Sequence, residues 1–250
     1  MTISFRKRLK EGRTLIGALL QMPLPEVAEI YATAGYDWLF IDLEHSPNDA
    51  RHAQDILTAI DSRVPCVVRV VWNDEPSIKK ALDIGATGII VPLVNTTEDA
   101  RLAVGRCKYP PVGFRSVGIT RAQRFDLEFA DYMQRANDDI AVIVQIEHID
   151  AVRNIDAILD VPGIDGVFVG PFDLSGSMNK PGQINDPEVQ AAIGQIVKAC
   201  ERRDIALCAY AHTPEHARNY MKMGYRVIGL CTDFIVLARA ARAYLQEARG

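Results

Sequence analysis

Four polar residues each follow an apolar, β-rich run of the sequence. Arg69, Glu147 and Asp173 close three such runs and His45 follows a fourth. A buried parallel strand is apolar on both faces, so polar groups gathered at its carboxyl end need another explanation. In alternating β/α folds that end carries ligands and chemistry. Two carboxylates, a guanidinium and an imidazole converging there would suit a divalent metal that holds an anionic substrate.

Glu147 and Asp173 are the candidate metal ligands. They are expected just past the ends of adjacent strands, close enough to share one cation. Oxygen ligands without a nearby cysteine favour Mg²⁺ or Mn²⁺, with Co²⁺ and Zn²⁺ as further options. For either residue alone, capping of a helix or a turn is the better interpretation. For the pair together with Arg69, metal binding is.

Arg69 and His45 are the candidates for handling charge and protons. The planar fork of an arginine suits a carboxylate or a developing enolate oxygen, although a salt bridge to Asp42, Glu44 or Glu147 explains Arg69 equally well. His45 follows Asp42 by three residues, so this carboxylate is expected to orient the imidazole for acid–base chemistry. A histidine that merely caps the following loop is the competing interpretation.

The segment Gly166–Ser175 is typical of a strand that runs into a tight turn. Outward backbone N–H groups in such a turn bind a carboxylate without side chains, and Gly170 would permit the close approach. No lysine closes a predicted strand, where a Schiff-base lysine would need desolvation to lower its pKa. This placement disfavours lysine-dependent aldol chemistry.

Composition fits one domain over residues 1–250 with a full core. A net charge of -4 argues against nucleic acid or an anionic membrane surface as the main partner. No run reaches membrane-spanning length, and the stretch Met1–Arg8 lacks the apolar core of a signal peptide. Five scattered cysteines indicate reduced thiols. We therefore expect a cytoplasmic protein.

Strand-like runs alternate with helical patterns along the whole chain. The predicted strands are 16–20, 38–42, 66–70, 88–92, 140–145, 166–169, 206–209 and 227–230. The predicted helices are 25–34, 49–60, 77–84, 97–107, 151–159, 187–202, 214–223 and 233–248. Eight alternations predict an α/β fold of the (β/α)8 TIM-barrel type. An open doubly wound sheet would usually have fewer strands, and no G-x-G-x-x-G follows the first strand.

Two further patterns bear on this arrangement. Gly35, Gly85 and Gly224 stand where a helix should end in a left-handed cap. Residues 108–124, rich in proline and glycine, break the rhythm after the fourth helix. A loop of this length is often a lid or a subunit contact, and a plain surface loop is an equal alternative.

Several motifs together resemble the HpcH/HpaI aldolase family, the metal-dependent class II pyruvate aldolases. The matching segments are Phe40–Asn48, Val68–Arg69, Leu82–Ala86, Tyr109–Arg115, Val144–Glu147 and Gly163–Ser175. The resemblance runs through nearly the whole chain. It implies a TIM barrel whose last helix is exchanged between subunits, and a homo-hexamer built as a trimer of dimers.

The resemblance also implies roles for individual residues. Glu147 and Asp173 match the metal ligands, Arg69 matches the residue that steadies the enolate, and His45 with Asp42 matches the acid–base pair. Further matches concern the substrate: Gln145 beside the site, the amides of Gly170 and Phe172 in the carboxylate-binding turn, Asp83 and Val117 reaching into a neighbour's site, and Tyr210 at the aldehyde. The family often has a smaller apolar residue at the position of Tyr210.

The implied activity is reversible cleavage of a 4-hydroxy-2-oxo acid to pyruvate, or a related 2-oxo acid, and an aldehyde through a metal-stabilised enolate. Two alternatives stay open at this point. A citrate-lyase-β-like lyase acting on an acyl-CoA would need a basic groove that accepts adenine, and the sequence offers no convincing one. The other is a non-catalytic barrel that binds 2-oxo acids.

Overall fold

The computed structural model describes residues 4–250. Residues 1–3 lie outside the described residues. They begin the stretch Met1–Arg8, which lacks the apolar core of a signal peptide. Eight parallel strands form a closed barrel in sequence order, which confirms the predicted (β/α)8 fold. The strands are β1 Leu15–Leu20, β2 Trp38–Asp42, β3 Cys66–Arg69, β4 Gly88–Val91, β5 Ala141–Ile146, β6 Gly166–Val169, β7 Ala206–Ala211 and β8 Val227–Thr232.

The strands are apolar on both faces because each face packs against a different core. One face meets the surrounding helices and the other fills the barrel interior. Inside, the ring of Phe40 lies 5.9 Å from that of Trp38 and 5.6 Å from that of Phe168. Gly17 is required there, since a Cβ at this position would lie 2.5 Å from the Trp38 indole. The interior is a packed floor and not a pore.

Helices lie between consecutive strands, with one more before β1 and one after β8. They are α1 Phe5–Lys10, α2 Pro25–Thr33, α3 Ala50–Ile60, α4 Glu75–Asp83, α5 Thr97–Cys107, α6 Phe129–Asp139, α7 Ile149–Arg153, α8 Ile155–Leu159, α9 Pro171–Ser177, α10 Pro187–Arg203, α11 Pro214–Lys222 and α12 Asp233–Arg249. The three glycines expected at helix ends all have positive φ, from 87° to 102°. The left-handed caps are therefore confirmed.

Four helical features differ from the sequence prediction. α1, α6 and α9 were not predicted, and the expected helix over 151–159 is two short helices that meet at Asn154. α6 carries apolar residues at helical spacing, namely Phe129, Tyr132, Met133 and Ala136, although only Ala136 is buried. Its stability comes from tertiary contacts, among them Lys108, whose buried ammonium donates to the carbonyls of Asn137 and Ile140.

The irregular segment between α5 and α6 lies against the amino-terminal end of the barrel. Arg115 donates to the Asp83 carboxylate at 2.8 Å and stacks on the Tyr109 ring at 4.6 Å. Arg121 donates to the carbonyls of Ile84 and Leu57. The segment is thus anchored by guanidinium groups while six large apolar side chains stay exposed: Val112, Phe114, Val117, Ile119, Phe125 and Leu127.

The last helix, α12, leaves the barrel almost at once. Every residue from Val236 to Gly250 is exposed, including the large apolar Leu237, Tyr244 and Leu245. In residues 4–250 none of the helices has the length and apolar character needed to cross a bilayer. All five cysteines are buried and unpaired.

Candidate active site

The carboxyl ends of the strands open into a cavity of about 510 Å³. Most of the residues expected at the site line it: His45, Arg69, Gln145, Glu147, Gly170, Phe172, Asp173 and Tyr210. Every second side chain of a strand points to the same face, which explains why these polar residues meet in one cavity. Trp38, Phe40 and Asp42 share the inward face of β2, so the apolar floor gives way to a carboxylate at the cavity.

Asp42 and Arg69 form a buried bidentate ion pair. The parallel register places them directly opposite each other on β2 and β3. Arg69 Nε donates to Asp42 Oδ1 at 2.9 Å and Nη2 donates to Oδ2 at 2.8 Å. Although burial opposes it, this pairing lowers the pKa of Asp42. The carboxylate therefore stays ionised and holds the guanidinium above the Phe40 ring, at 5.3 Å.

The expected pairing of Asp42 with the imidazole of His45 is wrong. The Asp42 carboxylate contacts His45 only through the backbone N–H, at 3.4 Å, and otherwise accepts from Arg69, Gln21 and the Glu44 amide. With its oxygens engaged in this way, Asp42 orients the guanidinium instead. The His45 ring is exposed at the cavity mouth, where its Nε2 lies 3.7 Å from Glu44 Oε2.

Glu44 is a second carboxyl group beside Arg69. Its Oε2 lies 3.2 Å from Arg69 Nε, whose single hydrogen is directed at Asp42. Burial, opposed by Arg69 and reinforced by the charge of Glu147, raises the pKa of Glu44 to about 7. The sequence suggested Glu44 only as one possible salt-bridge partner. Its place between a guanidinium and an imidazole could not be read from spacing alone.

Gln145 and Glu147 extend the polar network from Arg69. Arg69 Nη1 donates to Gln145 Oε1 at 3.2 Å, and Gln145 Nε2 donates to Glu147 Oε2. The other carboxylate oxygen, Oε1, accepts the Leu93 N–H at 2.9 Å. Leu93 has φ of +52°, a left-handed conformation that few residues adopt and that points its amide at Glu147. The network fixes the Glu147 carboxylate from both sides.

Gly170 contributes space next to Glu147. A Cβ on Gly170 would lie 2.7 Å from the Glu147 Cβ and 2.9 Å from its Oε2. The predicted use of the Gly170 amide is wrong, since this N–H donates to the Ile146 carbonyl at 3.1 Å and continues the β5–β6 ladder. Of the two expected amides, only that of Phe172, in the first turn of α9, is outside the ladder.

Glu147 and Asp173 have the character of a two-ligand cation site. Glu147 is buried and Asp173 exposed, on the neighbouring strand ends of β5 and β6. Burial and the negative charge of Asp173 raise the pKa of Glu147 against the effect of its hydrogen bonds. A cation would relieve that repulsion, so the donor set fits a hard divalent ion. No cluster of three or more His, Cys, Asp or Glu suited to a metal occurs within residues 4–250.

Tyr210 and Thr232 form the opposite wall of the cavity, at the ends of β7 and β8. Their hydroxyl oxygens lie 3.1 Å apart. The Tyr210 hydroxyl also lies 3.4 Å from Nδ1 of His212, and His212 in turn contacts Arg239 of α12. Nothing in the local sequence pattern indicated the connection of His212 to α12.

Two expected residues lie outside the cavity and one unexpected residue lines it. Asp83 and Val117 are not among the residues that line this cavity, since they lie in the anchored segment and α4 at the other end of the barrel. Gln21, which sequence reasoning missed, lines the cavity and donates to Asp42 Oδ2 at 2.7 Å and to the His45 carbonyl at 3.1 Å. Its signal was available, because a polar residue follows the apolar run of β1.

Several known proteins are similar to this chain in sequence and fold. The family model described as HpcH/HpaI aldolase/citrate lyase matches residues 17–240. A protein of Escherichia coli named 4-hydroxy-2-oxo-heptane-1,7-dioate aldolase is 42% identical over 97% of this chain and 94% of its own.

Two solved structures support the same relationship. An HpcH/HpaI aldolase/citrate lyase family protein of Burkholderia cenocepacia J2315 superimposes with a TM-score of 0.94, at 38% identity and 99% coverage of both chains. The citrate synthase SbnG gives a TM-score of 0.87 at 30% identity, over 98% of this chain and 97% of its own. Matches of this extent, together with the barrel, establish that the chain belongs to the HpcH/HpaI aldolase/citrate lyase family.

Proposed function

We propose that the protein is a metal-dependent aldolase that reversibly cleaves a 4-hydroxy-2-oxo acid to pyruvate, or a related 2-oxo acid, and an aldehyde. The observation that carries the proposal is the buried network in which Asp42 and Gln145 hold Arg69 beside Glu147. The aldolase name of the Escherichia coli relative and the family as a whole support the same reaction class.

Glu147 and Asp173 would hold the divalent cation, for which Mg²⁺ or Mn²⁺ fits the oxygen donors best. When bound, such a cation acts as a Lewis acid that polarises the oxygens of a 2-oxo acid. The Phe172 N–H, in the first turn of α9, would receive the substrate carboxylate. Gln145 keeps the Glu147 carboxylate aimed at the cavity.

Arg69 would steady the negative charge that develops on the substrate. A guanidinium has five N–H groups, and Asp42 and Gln145 accept three of them. Two hydrogens therefore remain for an enolate oxygen in the cavity. Because the guanidinium is already fixed, little reorganisation is needed when the charge appears.

His45 would carry the proton. In the cleavage direction a base takes the proton of the C4 hydroxyl, the C3–C4 bond breaks, and the aldehyde leaves an enolate that is protonated at C3. The His45 ring lies at the cavity mouth and is free to approach the C4 hydroxyl, while Gln21 fixes its backbone. Glu44, 3.7 Å away, would support the ring in place of Asp42.

The proposal is tested by pyruvate release from a panel of 4-hydroxy-2-oxo acids, followed with lactate dehydrogenase. We expect turnover by the Mg²⁺-loaded enzyme, its loss on chelation and its loss in Glu147→Ala. Glu98→Ala, an exposed carboxylate on α5, is the matched control and should retain turnover. Full activity after both chelation and Glu147→Ala would refute the proposal.

The same experiment separates the alternatives. Stabilisation by Mg²⁺ with pyruvate in a thermal shift, without turnover of any hydroxy-oxo acid, would indicate a barrel that only binds 2-oxo acids. Turnover of an acyl-CoA substrate alone would indicate the lyase related to citrate lyase β. The solved structures named simply as a citrate lyase or as a citrate lyase β subunit share 16% identity or less, so they bear on the fold only.

We propose further that copies of this chain exchange α12 within a homo-hexamer built as a trimer of dimers. Support comes from the fifteen-residue exposed stretch Val236–Gly250 and from the apolar side chains of the segment that carries Val117. Asp83 and Val117 would then reach a neighbour's cavity. Sedimentation analysis should give six chains for the wild type and smaller species for Leu237→Glu; a monomeric wild type would refute this arrangement.

A further inference from the structure

A chain of hydrogen bonds runs from α12 into the cavity wall opposite Glu147. Arg239 Nη2 lies 2.6 Å from Nε2 of His212, and Arg239 Nη1 donates to the His212 carbonyl at 3.1 Å. His212 Nδ1 lies 3.4 Å from the Tyr210 hydroxyl, which lies 3.1 Å from Thr232 Oγ1. Arg239 is therefore held by two contacts to one residue, and that residue reaches the wall.

The chemistry of the first member sets the direction of the chain. A guanidinium donates hydrogen bonds and accepts none, so Nε2 of His212 must be the acceptor from Arg239. The ring hydrogen of a neutral His212 then lies on Nδ1, facing the Tyr210 oxygen. The phenol oxygen is thus an acceptor from His212, and its own hydrogen points elsewhere.

At the end of this hydrogen-bond chain, one hydroxyl hydrogen has no acceptor within residues 4–250. Tyr210 and Thr232 have one hydroxyl hydrogen each, and a single hydrogen bond joins their oxygens. Whichever of the two donates, the other keeps a hydrogen. Both residues line the cavity, Thr232 buried and Tyr210 half-buried, so this hydrogen faces the cavity. Burial also raises the pKa of Tyr210, which keeps the phenol protonated.

We infer that Arg239 and His212 are positioning residues that fix this hydroxyl donor, and that the donor selects aldehydes carrying a hydrogen-bond acceptor, such as a hydroxyl oxygen, on their carbon chain. The inference rests on the proposed function and names its aldehyde class. An aldehyde with a methyl group at the same place would displace water from this donor without replacing its hydrogen bond, which is unfavourable. The neighbouring wall residues Leu19 and Phe168 offer no polar alternative.

Pairs of aldehydes with equal numbers of heavy atoms test the inference. Glycolaldehyde is compared with propanal, and 3-hydroxypropanal with butanal, in condensation with pyruvate by the Mg²⁺-loaded enzyme. We expect a lower KM for the hydroxylated member of at least one pair. Arg239→Met should raise that KM about three- to tenfold, the effect of one hydrogen bond, and leave kcat nearly constant.

Two further variants separate positioning from a merely structural role. Tyr210→Phe combined with Thr232→Val removes both hydroxyl hydrogens and should also remove the preference. Arg239→Met added to this double variant should change the preference no further, because all three residues act through one chain. Arg242→Met, an exposed arginine three residues along α12, is the matched control and should keep the wild-type preference.

The outcomes for the two proposals are distinct. Equal KM values within both pairs, or a preference that survives Arg239→Met, would overturn the inference while leaving the aldolase proposal standing. Absence of any condensation by the wild type would overturn the aldolase proposal. In that case saturation-transfer NMR of the same aldehydes still measures the preference, and equal binding of each pair would overturn the inference too.

Discussion

The two walls of the cavity are built in opposite ways. On one side Asp42, Arg69, Gln145 and Glu147 are all buried and hydrogen-bonded to one another across β2, β3 and β5. On the other side the polar groups of β7 and α12 reach solvent, and Arg239 and His212 are exposed. The first wall is rigid because each buried polar atom depends on its neighbour.

This difference indicates a division of labour. A buried network keeps its geometry whatever substrate enters, so it suits the part of the reaction common to all 2-oxo acids. Substitutions in an exposed hydrogen-bond chain that ends in one donor cost little stability. Such a chain is therefore suited to selecting the aldehyde. Substitutions in the first wall should abolish turnover or folding, whereas those in the second should alter preference.

Arg69→Lys should have the largest effect. A lysine cannot reproduce the fork that contacts Asp42 and Gln145 together, so the positive charge would no longer face the enolate. We expect kcat to fall about 10²- to 10³-fold. Arg101→Lys, in an exposed pair on α5, is the control for steady-state kinetics. A near-normal kcat in Arg69→Lys would show that turnover does not depend on the fixed guanidinium of the buried wall.

Asp42→Ala should destabilise the fold, since it leaves the Arg69 guanidinium buried without its ionic partner. The expected loss in the free energy of unfolding is about 3–5 kcal/mol. Asp55→Ala removes the partner of Arg51 in an exposed pair and should cost less than about 0.5 kcal/mol. Denaturant titration measures both, and similar losses in the two variants would contradict the assignment of the buried pair.

Gly170→Ala should displace the Glu147 carboxylate, because the new Cβ would lie within 3 Å of it. We expect a loss of about 10- to 100-fold in the affinity for Mn²⁺, measured by electron paramagnetic resonance. Gly176→Ala, in α9, meets nothing within 4 Å and should bind Mn²⁺ as the wild type does. Equal affinities in the two variants would show that Glu147 is not sensitive to this space.

Gln21→Met should have the smallest effect of the four. It removes the hydrogen bonds to Asp42 and to the His45 carbonyl, but Arg69 still holds Asp42. We expect kcat to fall about three- to tenfold with KM unchanged, since the His45 loop is less well placed. Gln134→Met on α6 is the exposed control. A change in KM alone would show that Gln21 binds the substrate and does not position the His45 loop.

The eight strands were predictable from sequence because β-rich apolar runs and glycine caps are local signals. Strands β2 and β6 were predicted with the bounds they have, and the other six differ by one or two residues at an end. The helix α6 was missed because it follows the irregular segment after α5 and therefore lies outside the strand–helix alternation.

The sequence predicted most of the residues that line the cavity, but it did not predict their hydrogen-bond partners. A polar residue at the end of an inward-facing strand must enter the cavity, which identified Arg69 and Glu147. Asp42 was assigned to His45 because they are near in sequence, whereas the register of β2 and β3 gives it to Arg69. Contacts between distant segments, such as His212 with Arg239, leave no local pattern.

The central claim is that Glu147 and Asp173 share one divalent cation that Arg69 faces across the substrate. It is tested most directly by a crystal grown with Mn²⁺ and pyruvate and measured for anomalous scattering. We predict one strong peak within coordination distance of both carboxylates, with a pyruvate oxygen directed at Arg69. Carboxylates turned towards separate contacts, with no peak between them, would contradict it.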